Sequence, residues 1–123
     1  MSWQARYLPD LAAIEICYSG NLTMEDLIAA AKEAMNLAQT HRTARVLADC
    51  SALSGGHTIF DLFDLAKDFA AAAQSINMQE AVIIPAGSAK VVDVKFWETT
   101  CVNRGLNVRI FHDRQSAIDW LTK

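Results

Sequence analysis

Cys50 and His57 are the residues of this sequence whose types and spacing come nearest to catalytic chemistry. A thiol near an imidazole can act as a nucleophile with its general base, and Asp49 could orient the imidazole. Cys50 follows a predicted buried strand, however, and no helix begins directly after it to stabilise a thiolate. Gly55 and Gly56 are explained as turn residues and do not require an oxyanion hole. We therefore predict no catalytic residues and expect that the chain is not an enzyme.

Other residue patterns that carry catalysis or bind metals do not match this chain. Residues 51–56 lack both the Gly-x-Ser-x-Gly turn of hydrolases and the Gly-Lys-Ser/Thr ending of a phosphate-binding loop. The three histidines are scattered, and the three cysteines have neither the even number of a disulfide framework nor the C-x-x-C spacing of a metal clip. We predict free buried thiols, no metal site and no cofactor.

Polar residues gather where the predicted parallel strands end. Ligands of open α/β sheets bind beyond the carboxyl ends of the strands, so this edge predicts a small pocket for a ligand or a partner loop. The alternative is that these are ordinary loop residues, because loops are generally polar. The candidate residues are Asp49, Ser51, Ser54, His57, Ser88 and His112, with Ser19, Asn21 and Asp113 nearby.

Thr58 stands just before the predicted second helix, three residues ahead of Asp61. A phosphate on its hydroxyl would meet free backbone amides and the positive end of the helix dipole, which makes Thr58 a candidate phosphoacceptor. The simpler interpretation is that Thr58 only caps the helix.

Two aromatic residues fall outside the apolar stripes of their predicted helices. Phe60 lies off the stripe through Phe63 and Ala66, and Trp97 cannot share the direction of its neighbour Phe96. Exposed aromatic side chains on a small acidic domain mark a surface that binds a partner. We consider Phe60 and Trp97 candidate interface residues, with a second layer of the core as the alternative.

Length and composition favour one compact domain over residues 1–123. The chain has 123 residues, of which 52% are hydrophobic, so it can bury an ordinary core. A net charge of −3 argues against a nucleic-acid partner or an anionic membrane surface. No apolar stretch approaches the roughly 20 residues of a membrane span, and the first residues do not resemble a secretory signal. We expect a cytoplasmic protein.

Strand and helix patterns alternate along the chain and predict an α/β fold. Period-two or continuous apolar patterns predict strands at residues 3–8, 13–18, 45–50, 80–85 and 106–111. Helices are predicted to begin after the caps Thr23, Thr58, Ser88 and Asp113, and residues 51–57 are predicted to form a loop. This order predicts four β-α units as a superhelix plus an extra N-terminal strand. The expected sheet has five mostly parallel strands, with helices mainly on one face.

The two faces of this sheet are predicted to differ. One face is expected to be uniformly apolar and covered by helices. The other carries charges such as Glu15, Asp49 and Arg109, so we expect it to be only partly covered and to pair Glu15 with an arginine. The residues of the apolar face are Ile14, Ile16, Val46, Ala48, Val82, Ile84, Val108 and Ile110.

Three segments in this order resemble the STAS-like family, the relatives of bacterial anti-sigma-factor antagonists with a SpoIIAA-like fold. They are Gly20-Asn21-Leu22-Thr23, Arg45-Val46-Leu47-Ala48-Asp49-Cys50-Ser51 and Asn103-Arg104-Gly105-Leu106-Asn107-Val108-Arg109-Ile110-Phe111. The resemblance covers most of the chain from about residue 12 onward, and it is closest to the branch often described as STAS-like or lipid-transfer-like.

The resemblance implies a non-enzymatic regulatory or protein-interaction domain whose partner is another protein or a second copy of the chain. Members with a phosphorylation switch carry Asp-Ser-Ser-Gly or Asp-Ser-Thr-Gly where this chain has His57, Thr58, Ile59 and Phe60. Thr58 keeps a hydroxyl at the acceptor position, but the acid, the small residue and the glycine around it are missing. The alternative function is a carrier of a small ligand or lipid, implied by the lipid-transfer-like branch and by the many apolar residues on the helices.

Overall fold

The structure is a computed structural model that describes residues 2–123, apart from the side chain of Ile59. The chain begins with a hairpin of two strands, after which four helices alternate with three further strands, as the hydrophobic patterns predict. In chain order they are β1 (Trp3–Leu8), β2 (Ala13–Asn21), α1 (Met24–His41), β3 (Arg45–Gly55), α2 (Ile59–Ser75), β4 (Gln79–Ile83), α3 (Val91–Asn103), β5 (Asn107–Phe111) and α4 (Arg114–Leu121).

The five strands form one sheet in the order β1-β2-β3-β4-β5. β1 runs antiparallel to β2, and the other neighbouring pairs are parallel. Each parallel pair is joined through a helix, because a chain must cross the sheet to return in the same direction. The predicted fold of four β-α units with an extra N-terminal strand is confirmed.

Side chains at the helix starts explain why three of the four helices begin where the sequence predicts. The Thr23 hydroxyl accepts a hydrogen bond from the amide of Asp26, and the Asp26 carboxylate accepts one from the Thr23 amide. Thr58 and Asp61 form the same capping box at α2, while Asp113 caps α4. Each cap satisfies backbone amides that the first helical turn leaves free.

The predicted cap of α3 is wrong. Ser88 does not cap the helix, which begins only at Val91 and has no side-chain cap from its N-cap residue, Lys90. The Ser88 hydroxyl instead accepts a hydrogen bond from the Lys90 amide in the preceding turn. In such a turn a serine hydroxyl can equally well accept a hydrogen bond from the amide two residues later. The residue type alone therefore does not determine where the helix begins.

Helices α1, α2 and α3 cover one face of the sheet, and α4 covers part of the other. Seven of the eight residues predicted for the apolar face are buried, and Ile110 is half-buried. On the opposite face, Ala117 and Leu121 of α4 pack on Leu47 and Ala81. The predicted arrangement, with helices mainly on one face, is confirmed.

We expected the face under the three helices to be uniformly apolar, and this prediction is wrong. Glu80 pairs with Val46 in the parallel register of β3 and β4, so its side chain shares this face with Val82. Only 7% of Glu80 is exposed. The sequence prediction missed it because a charged residue at the start of a strand usually remains in water.

Glu15 is a second buried carboxylate, and it lies on the opposite face. One of its oxygens lies 2.8 Å from Nη2 of Arg6, and the other lies 2.5 Å from Nη1 of Arg114. The expected pairing of Glu15 with an arginine is confirmed. The two arginines neutralise the carboxylate and join β1 and α4 to β2.

Residues 51–55 belong to β3, so the prediction of a loop from residue 51 is wrong. β2 continues past its predicted end to Asn21, and its last residues pair with Ala52, Leu53 and Gly55. The chain then turns at Gly56, whose φ of +88° is in the left-handed region. A Cβ at Gly56 would lie 2.6 Å from the backbone nitrogen of Leu22, so only glycine fits this close approach.

Among residues 2–123, no helix is both long enough and apolar enough to cross a bilayer.

Candidate functional site

A cavity of about 70 Å³ lies between the three-helix face of the sheet and the helices above it. We call it the helix-side cavity. Its lining is mostly apolar, with a few polar side chains from the sheet and from the starts of α2 and α3, which is typical of sites for small molecules. The lining residues are Tyr18, Leu22, Leu27, Ala48, Cys50, Leu53, His57, Leu62, Leu65, Glu80, Val82, Asp93, Val94 and Trp97.

A second cavity of about 60 Å³ lies beside it, further toward the amino ends of the parallel strands. Four residues line both cavities, namely Tyr18, Leu65, Glu80 and Trp97. The remainder of its lining comes from aliphatic, aromatic and methionine side chains such as Ile16. Glu80 is therefore the charged side chain that lies between the two cavities.

Glu80 has one hydrogen bond from the described residues. Nε1 of Trp97 donates it to Oε1 of Glu80 over 2.8 Å. Burial raises the pKa of Glu80 above its ordinary value, because an ion is poorly solvated there, and the hydrogen bond from Trp97 only partly opposes this shift. The structure shows no arginine or lysine of residues 2–123 in an ion pair with Glu80, in contrast to Glu15.

His57 reaches the same cavity from the turn after β3. Its side chain is 2% exposed, and Nε2 lies 3.6 Å from Oδ2 of Asp93. Its Nδ1 is buried and has no hydrogen-bond partner. Asp93 also lies 3.7 Å from Nζ of Lys90, so a lysine balances part of its charge.

Cys50 lines the helix-side cavity with His57, but its thiol is not activated. Burial raises the pKa of the Cys50 thiol far above its ordinary value, and the negative charge of Glu80 raises it further. Burial likewise raises the pKa of the Tyr18 hydroxyl. Nucleophilic attack by cysteine requires a thiolate, and this environment favours the protonated thiol.

The structure does not bring the six predicted ligand residues together. His57 lines the helix-side cavity, whereas Asp49 and Ser51 line a separate groove of about 300 Å³, where Oδ1 of Asp49 accepts a hydrogen bond from the amide of Ser51. Ser54 is exposed in β3. Ser88 and His112 lie in the turns after β4 and β5, where Nδ1 of His112 contacts the Ile84 carbonyl oxygen.

Thr58, Phe60 and Trp97 occupy three different environments. The Thr58 side chain is exposed, and its hydroxyl accepts a hydrogen bond from the amide of Asp61, which confirms that Thr58 caps the helix. Phe60 is 80% exposed in the first turn of α2. Trp97 points inward, because its indole lines both cavities and binds Glu80.

Sequence reasoning missed Glu80, Asp93 and Tyr18 as cavity residues. One signal was present, since Glu80 interrupts the apolar face that the other strands define, and a tryptophan follows in the next helix. A charged residue in such a position needs a buried partner. Asp93 gave no such signal, because an acidic residue in a first helical turn is ordinary.

Within the part of the chain that the structure describes, no three His, Cys, Asp or Glu side chains are grouped so that they could hold a metal ion.

The sheet order, the antiparallel edge strand and the three helices over one face define a STAS-type α/β domain. The chain belongs to the SpoIIAA-like family, whose model matches residues 13–122. This confirms the resemblance that the three sequence segments carry.

The same fold is found in a solved structure. It is the crystal structure of an uncharacterised protein of the DUF3478 family from Shewanella loihica PV-4, which is described as having a SpoIIAA-like fold. The two proteins are 19% identical over 97% of this chain and 91% of that one, with a TM-score of 0.54. No protein of curated function matches the sequence.

Proposed function

We propose that this chain is a non-enzymatic interaction domain that binds a protein partner through the starts of α2 and α3. The observation that carries the proposal is the exposure of Phe60 and Val92, which are 80% and 71% exposed in the first turns of these helices. The contact between His57 and Asp93 shows that the two helix starts adjoin each other. Apolar side chains exposed together on a small domain mark a binding surface.

The charges on α2 indicate the chemistry of the partner. Asp61, Asp64 and Asp68 stand on this helix with one basic residue, Lys67. An apolar pocket with a basic rim would complement Phe60 and these carboxylates. Self-association through the same surface would bring two acidic helices together, so a different protein of opposite charge fits better than a second copy.

Cys50 supports the non-enzymatic part of the proposal. The Cys50 thiol, which lines the cavity with His57, is buried, and this burial raises its pKa. A protein that acts by binding needs no activated nucleophile. Its effect on a partner comes from the surface that it covers or from the conformation that it selects.

The partner surface is tested by capture from a lysate of the source cells, with the full chain as bait. Phe60→Ser removes the aromatic side chain, and Val102→Ser is the matched control, because Val102 is 52% exposed near the other end of α3. We expect a protein that the wild type and Val102→Ser retain and that Phe60→Ser loses. Retention of the same proteins by all three baits would refute the proposed surface.

Thr58 lies within this surface, and phosphorylation of its hydroxyl is part of the proposal. The capping box leaves the Thr58 side chain exposed, so a kinase can reach it. A phosphate there would place a double negative charge beside Asp61 and would weaken the helix cap. Mass spectrometry of the protein from its own cells is expected to find a phosphorylated peptide that contains Thr58. Stoichiometrically unmodified peptide under all growth conditions would leave the residue as a cap alone.

A second candidate function is binding of a small ligand, which the helix-side cavity favours. An engineered cavity of about 150 Å³ binds benzene. The two cavities here, of about 70 and 60 Å³, together remain below that size. They favour a ligand smaller than a benzene ring and disfavour a lipid acyl chain. Native mass spectrometry of freshly purified protein is expected to show a small adduct, and a lipid-sized adduct would contradict this size limit.

A further inference from the structure

Glu15 and Glu80 are both buried carboxylates, and their neighbours differ. Two arginines contact Glu15, one at each oxygen. Glu80 receives a single hydrogen bond, from an uncharged indole, and its other oxygen accepts none from the described residues. A buried carboxylate is stable as an ion only with a cationic partner or several donors. Glu15 has such partners within the chain, and Glu80 does not.

His57 adds a second hydrogen-bond acceptor to the same cavity. Its Nε2 faces the Asp93 carboxylate, so we assign the proton of the neutral ring to Nε2. The lone pair is then on Nδ1, which is buried and unpartnered. Because the His57 side chain is only 2% exposed and lies against Asp93, its ring cannot turn Nδ1 toward solvent.

The lining of the cavity suits the apolar part of a small cationic molecule. Trp97 and Tyr18 offer aromatic rings beside Glu80, and aromatic faces attract cations. Leucines such as Leu53 and Leu62 complete the lining. The volume of about 70 Å³ is about half that of the cavity that binds benzene, so it limits the ligand to a short aliphatic chain.

We propose that the helix-side cavity binds a small organic amine, whose protonated nitrogen donates hydrogen bonds to Glu80 and to Nδ1 of His57 and whose apolar part contacts the leucines. The proposal rests on the ligand-binding function given above as the second candidate. A carboxylate and an imidazole lone pair both accept hydrogen bonds, so a ligand that supplies N–H donors and positive charge matches them. An anionic ligand of the same size would face Glu80 and Asp93 and would be repelled.

The probes are n-propylamine, 1-propanol and propionate, which share a short alkyl chain and differ in the charge of the terminal group. Titration calorimetry with the full chain at pH 8 compares their dissociation constants. We expect n-propylamine to bind at least about tenfold more tightly than 1-propanol, because charge-assisted hydrogen bonds are roughly twice as strong as neutral ones. Propionate is expected to bind most weakly.

Glu80→Gln tests the carboxylate itself. The substitution keeps the size of the side chain and removes a buried charge, so the variant is expected to fold. n-Propylamine should lose at least about tenfold in affinity, whereas 1-propanol should bind as before. Glu25→Gln is the matched control, because Glu25 is exposed in α1 and does not line the cavity. It should leave both affinities unchanged.

Ala48→Leu tests whether the probe occupies the cavity. Ala48 is 3% exposed and lines the cavity, so the larger side chain fills part of it and should abolish n-propylamine binding. A pH series adds a further readout. Burial raises the pKa of Glu80, so acidification protonates the carboxylate and should weaken n-propylamine binding. The series is repeated in Glu80→Gln, because Tyr18, Cys50, His57 and Asp93 also face the cavity.

Three results would overturn the amine proposal. Equal affinity for n-propylamine and 1-propanol, or an unchanged preference in Glu80→Gln, would show that the cavity takes neutral ligands, while the ligand-binding function would stand. Absence of binding by all three probes at several millimolar would contradict both the amine proposal and the ligand-binding function. Capture of a protein partner through Phe60 is independent of each of these outcomes.

Discussion

Arg114 at the start of α4 holds one oxygen of Glu15, which is 1% exposed. The side chain of Arg114 is 44% exposed, so it returns to water easily if the carboxylate is lost, whereas Glu15 cannot. Arg114→Gln should therefore lower the free energy of unfolding by about 2 kcal/mol, because it removes a cation that lies against a buried carboxylate oxygen. Urea denaturation measures this, with the exposed Arg109→Gln as a control expected to change it by less than about 0.5 kcal/mol. Equal effects of the two substitutions would show that the Glu15 pairing is not structural.

Glu80 should make folding stability depend on pH in the opposite sense to a paired carboxylate. Burial raises the pKa of Glu80 in the folded state from its ordinary 4.5, so the native state holds the proton more tightly than the unfolded chain. Above the unfolded value, stability falls as the pH rises, until it passes the folded pKa and levels off. Relative to Glu80→Gln, the wild type should therefore lose stability as the pH is raised from 4.5. Urea unfolding of both proteins at a series of pH values measures the difference, and a constant difference would show that Glu80 is not desolvated.

The three cysteines should differ in their reactivity toward a thiol reagent. Burial raises the pKa of all three thiols, but Cys17 is exposed to a reagent whereas Cys50 and Cys101 are buried. In the native protein we expect one thiol to react within minutes and two to react only when denaturant is added. Cys17→Ser should remove the fast reaction. A rapidly labelled Cys50 would contradict this and would restore the thiol and His57 as a candidate nucleophile and base.

At the scale of the elements, the glycine turn after β3 determines where His57 lies. Gly56 combines a φ of +88° with an approach of 2.6 Å to the Leu22 nitrogen, whereas Gly20 has a φ of +67° and open space around its Cβ position. Gly20→Ala should cost about 1 kcal/mol from backbone strain alone. Gly56→Ala should cost about 3 kcal/mol, because the loops must also separate. Chemical denaturation of the two variants compares them, and equal losses would show that the two loops are not packed tightly.

Sequence patterns predicted the elements whose signals are local. The caps at Thr23, Thr58 and Asp113 are formed by residues three apart in the chain, so they are visible without a structure. The extension of β3 to Gly55 was not predicted, because it depends on pairing with the end of β2, far away in the chain. Its polar composition is typical of loops, and only the partner strand makes it a strand.

At the scale of the whole molecule, the fold could be predicted and the cavity could not. Alternation of strands and helices determines the layers, since each element must bury its apolar face. The space between the layers depends on how well the side chains of three helices fill it, and periodicity says nothing about that. Trp97 illustrates the difference: its place on α3 was clear, but its contact with Glu80 depends on the register of β3 and β4.

A cavity that serves a ligand leaves the core less stable than a filled core would be. Val82→Ile adds one methylene beside the helix-side cavity, where there is space, and should raise the free energy of unfolding by about 0.8 kcal/mol. Val108→Ile adds the same group at a position that is also buried but lines neither cavity. This substitution should lower the free energy of unfolding by about 1 kcal/mol through overpacking.

Urea unfolding of both variants and the wild type gives the comparison, because the opposite signs remove any general preference of strands for isoleucine. Loss of stability in both would mean that the cavity closes in solution. A gain in stability in Val82→Ile together with weaker n-propylamine binding would show that the same space limits stability and admits the ligand. Natural sequences retain such space where function requires it, since filling it is among the easiest ways to stabilise a protein.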